Sequence, residues 1–210
     1  MTGADIAATV TPPPTPWIMR GRMSMGLFKV TRLPEGGAPP VPAGLTPLLG
    51  GHRVVALVQY LEGTLRYNEL IIGRFAHHGR KFALLVDNIW VDSRESVAGG
   101  RRIWGLPKEL AEFSYSADKV SIGDEHGDIA TLHYDERPSW LPEMAMAMPG
   151  FGVQDGRLLF FVGRVRLRPR RTRLRIESLA PRFGALAGTP RIGIDGSPFE
   201  LNIGDARILK

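Results

Sequence analysis

The residue with the clearest chemical prospect in this chain is a lysine that follows a proline inside an apolar run. Lys108 stands in Gly99-Gly100-Arg101-Arg102-Ile103-Trp104-Gly105-Leu106-Pro107-Lys108-Glu109-Leu110-Ala111-Glu112-Phe113. Proline fixes its own φ and biases Leu106 toward an extended backbone. Trp104, Leu106, Leu110 and Phe113 supply apolar bulk around the amine. Desolvation penalises an ammonium ion, so a lysine held in such surroundings gives up its proton more readily. The neutral amine is a nucleophile toward carbonyl carbon and forms a Schiff base. The plainer alternative is a surface lysine at the start of a strand.

Other reactive groups carry less. His77 and His78 are adjacent, so on a strand they point to opposite faces and cannot share a ligand. His126 and His133 lack zinc spacing and there is no His-Glu-x-x-His, so no metal site is expected. Gly150-Phe151-Gly152-Val153-Gln154-Asp155-Gly156 misses the dinucleotide fingerprint by one residue. Met144, Met146 and Met148 alternate with alanine and read as core or pocket lining. With no cysteine, disulfides, thiolate catalysis and cysteine-ligated metals are excluded.

The elements that must hold Lys108 are mostly strands. Val54–Tyr60, Leu65–Phe75 and Lys81–Val91 are rich in branched and aromatic residues and are separated by glycine-containing turns. Phe113–Ile122 and Ile129–Tyr134 flank Gly123–Gly127 as a hairpin, and Gly156–Arg168 and Arg171–Leu179 flank Arg168-Pro169-Arg170 as another. One short helix is expected after Asp92-Ser93, either of which can cap it, with Glu95 in its first turn and Gly99-Gly100 limiting or bending it. Residues 1–16, ending in Thr11-Pro12-Pro13-Pro14-Thr15-Pro16, read as a loose arm without helix, and Glu35–Gly44 reads as a loop. Many short strands and few helices predict an antiparallel barrel or sandwich, and the lack of strand–helix alternation disfavours a doubly wound sheet.

At 210 residues the chain suits one domain. No apolar run nears the ~20 residues that span a bilayer, and the N-terminus has neither a basic nor an apolar leader region, so a cytoplasmic protein without a membrane partner is expected. The net charge of +6 is local: seven arginines lie between Arg164 and Arg175, and setting them aside from the 27 Lys and Arg leaves 20 against 21 Asp and Glu. Arg164, Arg166 and Arg168 share one strand face, which Arg171, Arg173 and Arg175 can oppose across the expected hairpin. Facing arginines repel, so acidic residues such as Glu177, a neighbouring subunit or an anionic ligand must neutralise them. Nucleic acid is disfavoured, because the run contains no aromatic residue to stack on bases.

The run Gly100-Arg101-Arg102-Ile103-Trp104-Gly105-Leu106-Pro107-Lys108 resembles the active-site region of the acetoacetate decarboxylase family, where a Gly-Arg pair precedes a Pro-Lys whose lysine forms the Schiff base. Upstream, Tyr67-Asn68-Glu69-Leu70 resembles the family's Tyr-x-Glu segment, which carries an active-site glutamate, and Pro16-Trp17 with Arg20-Gly21 resembles its N-terminal segment. The likeness covers roughly residues 16–135. It implies a mainly β fold with a few short helices, a single-domain closed antiparallel β-barrel over residues 17–210, preceded by the arm. It implies a Schiff-base lyase acting on a small keto acid without a cofactor. Lys108 would be the nucleophile, Glu69 would orient the imine or shuttle protons, and Arg101, Trp104 and Tyr67 would contact substrate. The family's habit of forming homo-oligomers suggests that Arg164–Arg175 lies at a subunit contact. Glu109 stands where the family's decarboxylases have a second lysine, and Met23–Val30, where they have an arginine, offers Lys29. If Lys108 and Glu109 are extended, they point to opposite faces. An aldolase–dehydratase using the same imine, and a ligand-binding barrel without catalysis, are the alternatives.

Overall fold

The branched and aromatic runs build two sheets in a computed structural model of the chain, which describes residues 3–135, 137 and 139–209. In chain order the elements are α1 (Gly3–Thr9), β1 (Trp17–Arg32), β2 (Thr46–Pro47), β3 (His52–Gly63), β4 (Tyr67–His78), β5 (Lys81–Val91), α2 (Arg94–Trp104), β6 (Lys108–Leu110), β7 (Glu112–Ser116), β8 (Lys119–Asp124), β9 (Gly127–His133), β10 (Met144–Gln154), β11 (Arg157–Arg171), β12 (Arg175–Leu179), β13 (Ala185–Leu186), β14 (Ile192–Ile203) and β15 (Arg207–Ile208). The larger sheet runs β2-β4-β3-β1-β14-β11-β10-β5-β6, with β13 on β1, β15 on β11, and β5 bonded to β4 as well. The smaller runs β12-β9-β8-β7.

The pairing is not wholly antiparallel as expected: β5 runs parallel to both β10 and β6. The β6 case follows from connectivity. The chain leaves β5, crosses over through α2 and returns as β6, and such a crossover joins strands of the same direction. Ser93 caps α2 as its composition predicts, its Oγ accepting from Ser96 N–H at 3.1 Å. Gly99-Gly100 does not stop the helix. Gly105 does, at φ 63°, the left-handed conformation that glycine adopts at least cost.

Two apolar clusters lie on the two faces of β3 and β4. Val58, Tyr60 and Tyr67 belong to one, with Ile6, Trp17, Val91, Val97 and Trp104. Val55, Leu57, Leu70 and Ile72 belong to the other and meet Val120, Ile122, Ile129 and Leu132 of the small sheet. This two-residue alternation is what lets one strand serve both a core and a site.

Several expectations are corrected. The arm is not loose throughout: Gly3–Thr9 is helical and Ile6 is wholly buried in the first cluster. An isoleucine on a short helix gains from docking what the helix lacks in intrinsic stability. Phe113–Ile122 is two strands, β7 and β8, joined at Ala117-Asp118. The Arg168-Pro169-Arg170 hairpin is absent. The strand β11 continues to Arg171, Pro169 sits at a register shift where a proline is tolerated, and β12 pairs with β9 instead. Arg164, Arg166 and Arg168 are exposed with Val165 and Leu167 buried beneath, as expected. Their cross-strand neighbours are not arginines: Arg166 lies opposite Glu200 and Ala145. Arg166 pairs with Glu143 at 3.2 Å and Arg170 with Asp195 at 3.1 Å, while Glu177 binds Lys119 and His133 instead. No helix of the described residues is long and apolar enough to cross a membrane.

Candidate active site

Strand register brings Lys108 and Glu69 together. In the sheet β5 lies between β4 and β6. Glu69 is opposite Val91 and Lys108 is opposite Ile89 on the same strand. Two strand spacings of ~4.8 Å separate the backbones, a gap that a lysine stem and a glutamate close. Lys108 Nζ lies 2.6 Å from Glu69 Oε2. Tyr67, two residues before Glu69, shares its face, and Tyr60 is directly opposite Tyr67 on β3.

The helix α2 closes the other side. Lys108 Nζ donates to Ser96 Oγ at 2.9 Å. Ser96 and Gly100 are four residues apart, hence on one helix face. A Cβ on Gly100 would sit 2.4 Å from Lys108 Cδ, so the bare glycine leaves a channel for the lysine stem. A third, longer contact runs from Nζ to Tyr67 OH at 3.4 Å, and Nζ is 4.9 Å from the Tyr67 ring centroid. Glu69 Oε1 accepts from Tyr60 OH at 3.4 Å. An ammonium has three donors, and here all three have oxygen partners.

The constellation is sealed. Lys108 is 3%, Glu69 4% and Ser96 0% exposed, so the ion pair is formed away from water. Burial, and next the charge of Glu69, push the phenols of Tyr60 and Tyr67 well above their ordinary value, so both keep their protons.

The other sequence candidates are arranged differently. Arg101 does not reach Nζ; its Nε donates to the Lys108 main-chain oxygen at 2.7 Å and its terminal nitrogen pairs with Glu109. Glu109 faces away from the amine, as an extended segment requires, and also accepts from Gly3 N–H at 2.8 Å. Through that bond α1 is fastened over β6. Trp104 is 2% exposed, donates to Gly204 O at 2.7 Å and packs edge-on against Trp17 with centroids 4.7 Å apart. It therefore supports the wall behind the site and does not touch the amine. Lys29 is opposite His52 at the far end of β1.

Sequence reading missed Ser96 and Tyr60. Ser96 has a legible signal, being four residues before a glycine on the expected helix, but Tyr60 depends on register that no local pattern reveals. His77 and His78 bond to the carbonyls of Gly79 and Gly44, Met146 and Met148 pack on the first cluster, and Met144 is exposed. No cluster among the described residues could hold a metal.

Residues 21–138 match the family model described as Acetoacetate decarboxylase (ADC). No curated protein sequence matches the chain. Among solved structures, the acetoacetate decarboxylase of Legionella pneumophila subsp. pneumophila str. Philadelphia 1 is similar over 96% of this chain and 90% of its own, at 14% identity and a TM-score of 0.65. The enduracididine biosynthesis enzyme MppR, with HEPES buffer bound, is similar over 96% and 90%, at 17% identity and a TM-score of 0.57. An acetoacetate decarboxylase-like enzyme from Sphingomonas wittichii RW1 is similar over 94% of each chain, at 14% identity and a TM-score of 0.59. At these identities the likeness to solved structures is one of fold.

Proposed function

Since this chain belongs to the acetoacetate decarboxylase family, we propose that it is a lyase that binds a small keto acid as a Schiff base on Lys108. The observation that carries this reading is the buried Lys108 Nζ at 2.6 Å from Glu69 and 2.9 Å from Ser96. Imine formation requires the amine in its neutral form, and Glu69 is within reach to take the ammonium proton. The amine nitrogen then adds to the ketone carbon, whose oxygen gains a proton to give a carbinolamine. Loss of that hydroxyl as water yields the protonated imine. In a β-keto acid the bond to the carboxylate breaks, its electron pair moves into the imine to give an enamine, and carbon dioxide leaves. Protonation of the enamine carbon and hydrolysis release the ketone and return the free lysine.

Ser96 and the phenol of Tyr67 are hydroxyl donors facing the nitrogen, suited to steady the departing hydroxyl. The protonated Tyr60 holds the second oxygen of Glu69 and so fixes which oxygen addresses the amine. Trp104 and Arg101 support the site from behind, the first by packing and the second through the Lys108 carbonyl.

A second reading, the aldolase–dehydratase, has a specific support. MppR has been solved with pyruvate and with the condensation product of pyruvate and imidazole 4-carboxaldehyde, and Glu109 stands where the decarboxylases have a lysine. The β4–β5 pairing further supports reading the large sheet as a closed barrel. A screen of β-keto acids and of pyruvate with aldehydes separates the two reactions: carbon dioxide release supports decarboxylation, and a dehydrated adduct without gas supports the second. A keto acid that binds but is never reducible onto the protein by borohydride leaves a binding protein.

A further inference from the structure

A groove of about 810 Å³, sharing no residue with the Lys108 constellation, lies between the segment Arg170–Arg175 and the segment leading into β14. Its charge is one-sided. Six arginines line it, and no acidic residue does among the described residues. Three of the six are paired with two carboxylates: Arg137 with Asp135 at 2.7 Å, Arg170 with Asp195 at 3.1 Å, and Arg173 with Asp135 at 3.7 Å. Arg171, Arg175 and Arg191 are exposed and have no ion pair among the described residues.

The same groove holds the feature that the arginine run lacks in sequence, an aromatic face. Trp140 is 89% exposed, whereas Trp17, Trp90 and Trp104 are at most 4% exposed. Ile192, which lines the same groove, is 70% exposed. An indole left in water costs free energy that stacking would recover.

The geometry points to a binding site for a nucleoside di- or triphosphate, with the base stacked on Trp140 and the phosphates on Arg171, Arg175 and Arg191. Guanidinium forks match phosphate oxygens two at a time, and three unpaired forks suit a ligand with more than one phosphate charge. Indole faces take any base. The groove volume is within the range of small-ligand pockets, about 300–1,000 Å³, so it suits a single nucleotide. A small keto acid has neither a planar base nor several phosphate charges, so this site is independent of the lysine reaction.

The test is a titration of the full chain with ATP and ADP at low salt, read by calorimetry and by indole fluorescence. Saturable binding that quenches Trp140 is expected. Binding should weaken about tenfold in Trp140→Ala, as loss of a stacking platform does. It should weaken by a similar factor in Arg191→Ala or Arg175→Ala, and fall with added salt. These side chains are exposed, and unchanged circular dichroism will verify folding. Pyrophosphate binding as tightly as ATP would reduce the site to a bare anion patch and overturn the proposal. So would binding of a single-stranded oligoadenylate without ATP, or no binding to the wild-type chain. Trp140 emission that follows protein concentration instead of ligand would make the groove a contact between copies, and would overturn it equally.

Discussion

Lys108 and Glu69 form an ion pair that the surrounding residues keep dry, and a buried pair of this kind is a weak source of stability. Its place in the proposed reaction is that of a base beside an amine that would become a nucleophile. Glu69→Gln keeps the size and the contact to Tyr60 but removes the base. Turnover on any accepted keto acid should fall by about 10²–10⁴-fold, the usual worth of general base catalysis, and steady-state rates will measure it. Gly100→Ala tests position without touching charge. Its Cβ would meet the lysine stem at 2.4 Å and push Nζ away from Ser96 and Glu69. The expected outcome is loss of borohydride trapping with an unchanged far-ultraviolet spectrum. Trapping at the wild-type rate would mean that the stem has room to move. Of these residues Lys108 and Glu69 were legible through flanking motifs. Ser96 and Tyr60 were not, because their relevance exists only once α2 and β3 are packed against the amine.

At the scale of elements, the feature with most consequence is α1. It buries Ile6 in the cluster that also holds Tyr60, Tyr67 and Trp104, and its Gly3 N–H holds Glu109, which in turn holds Arg101 against the Lys108 carbonyl. Deleting residues 1–9 should loosen the packing that buries Lys108, and borohydride trapping should start faster than in the full chain while its final yield stays the same. Glu109→Ala should do so more weakly, since Ile6 would still dock. Equal onset rates in all three proteins would show that substrate arrives by another route. The strands of the large sheet were legible because branched and aromatic residues repeat along them, and α2 because Ser93 marks its start. The helix α1 was not. Seven residues give too short a period to recognise, and the prolines that follow hid it. The continuation of β11 through Pro169 was equally hidden, since a proline that a register shift accommodates looks like a turn in sequence.

For the molecule as a whole, Asp135 should contribute a pH-dependent part of the stability in acid. Hydrogen bonds from Arg137 and the charge of Arg170 hold this carboxyl well below the usual carboxylate range. A depressed folded-state value means a contribution fully present above the unfolded value of ~3.9 and lost as pH falls through that value toward the folded one. Asp135→Asn should therefore lower the melting temperature near neutral pH, with a gap to wild type that narrows between about pH 4 and pH 2. A gap that stays constant with pH would assign the effect to packing. The reaction itself is tested most directly by the mass of the intact protein after incubation with keto acids and borohydride, followed by peptide mapping. A Schiff-base enzyme predicts one covalent adduct per chain, located on Lys108 and absent in Lys108→Arg, because arginine keeps the charge but cannot become a neutral nucleophile. An adduct on another lysine, or full turnover by Lys108→Arg without any adduct, would contradict it.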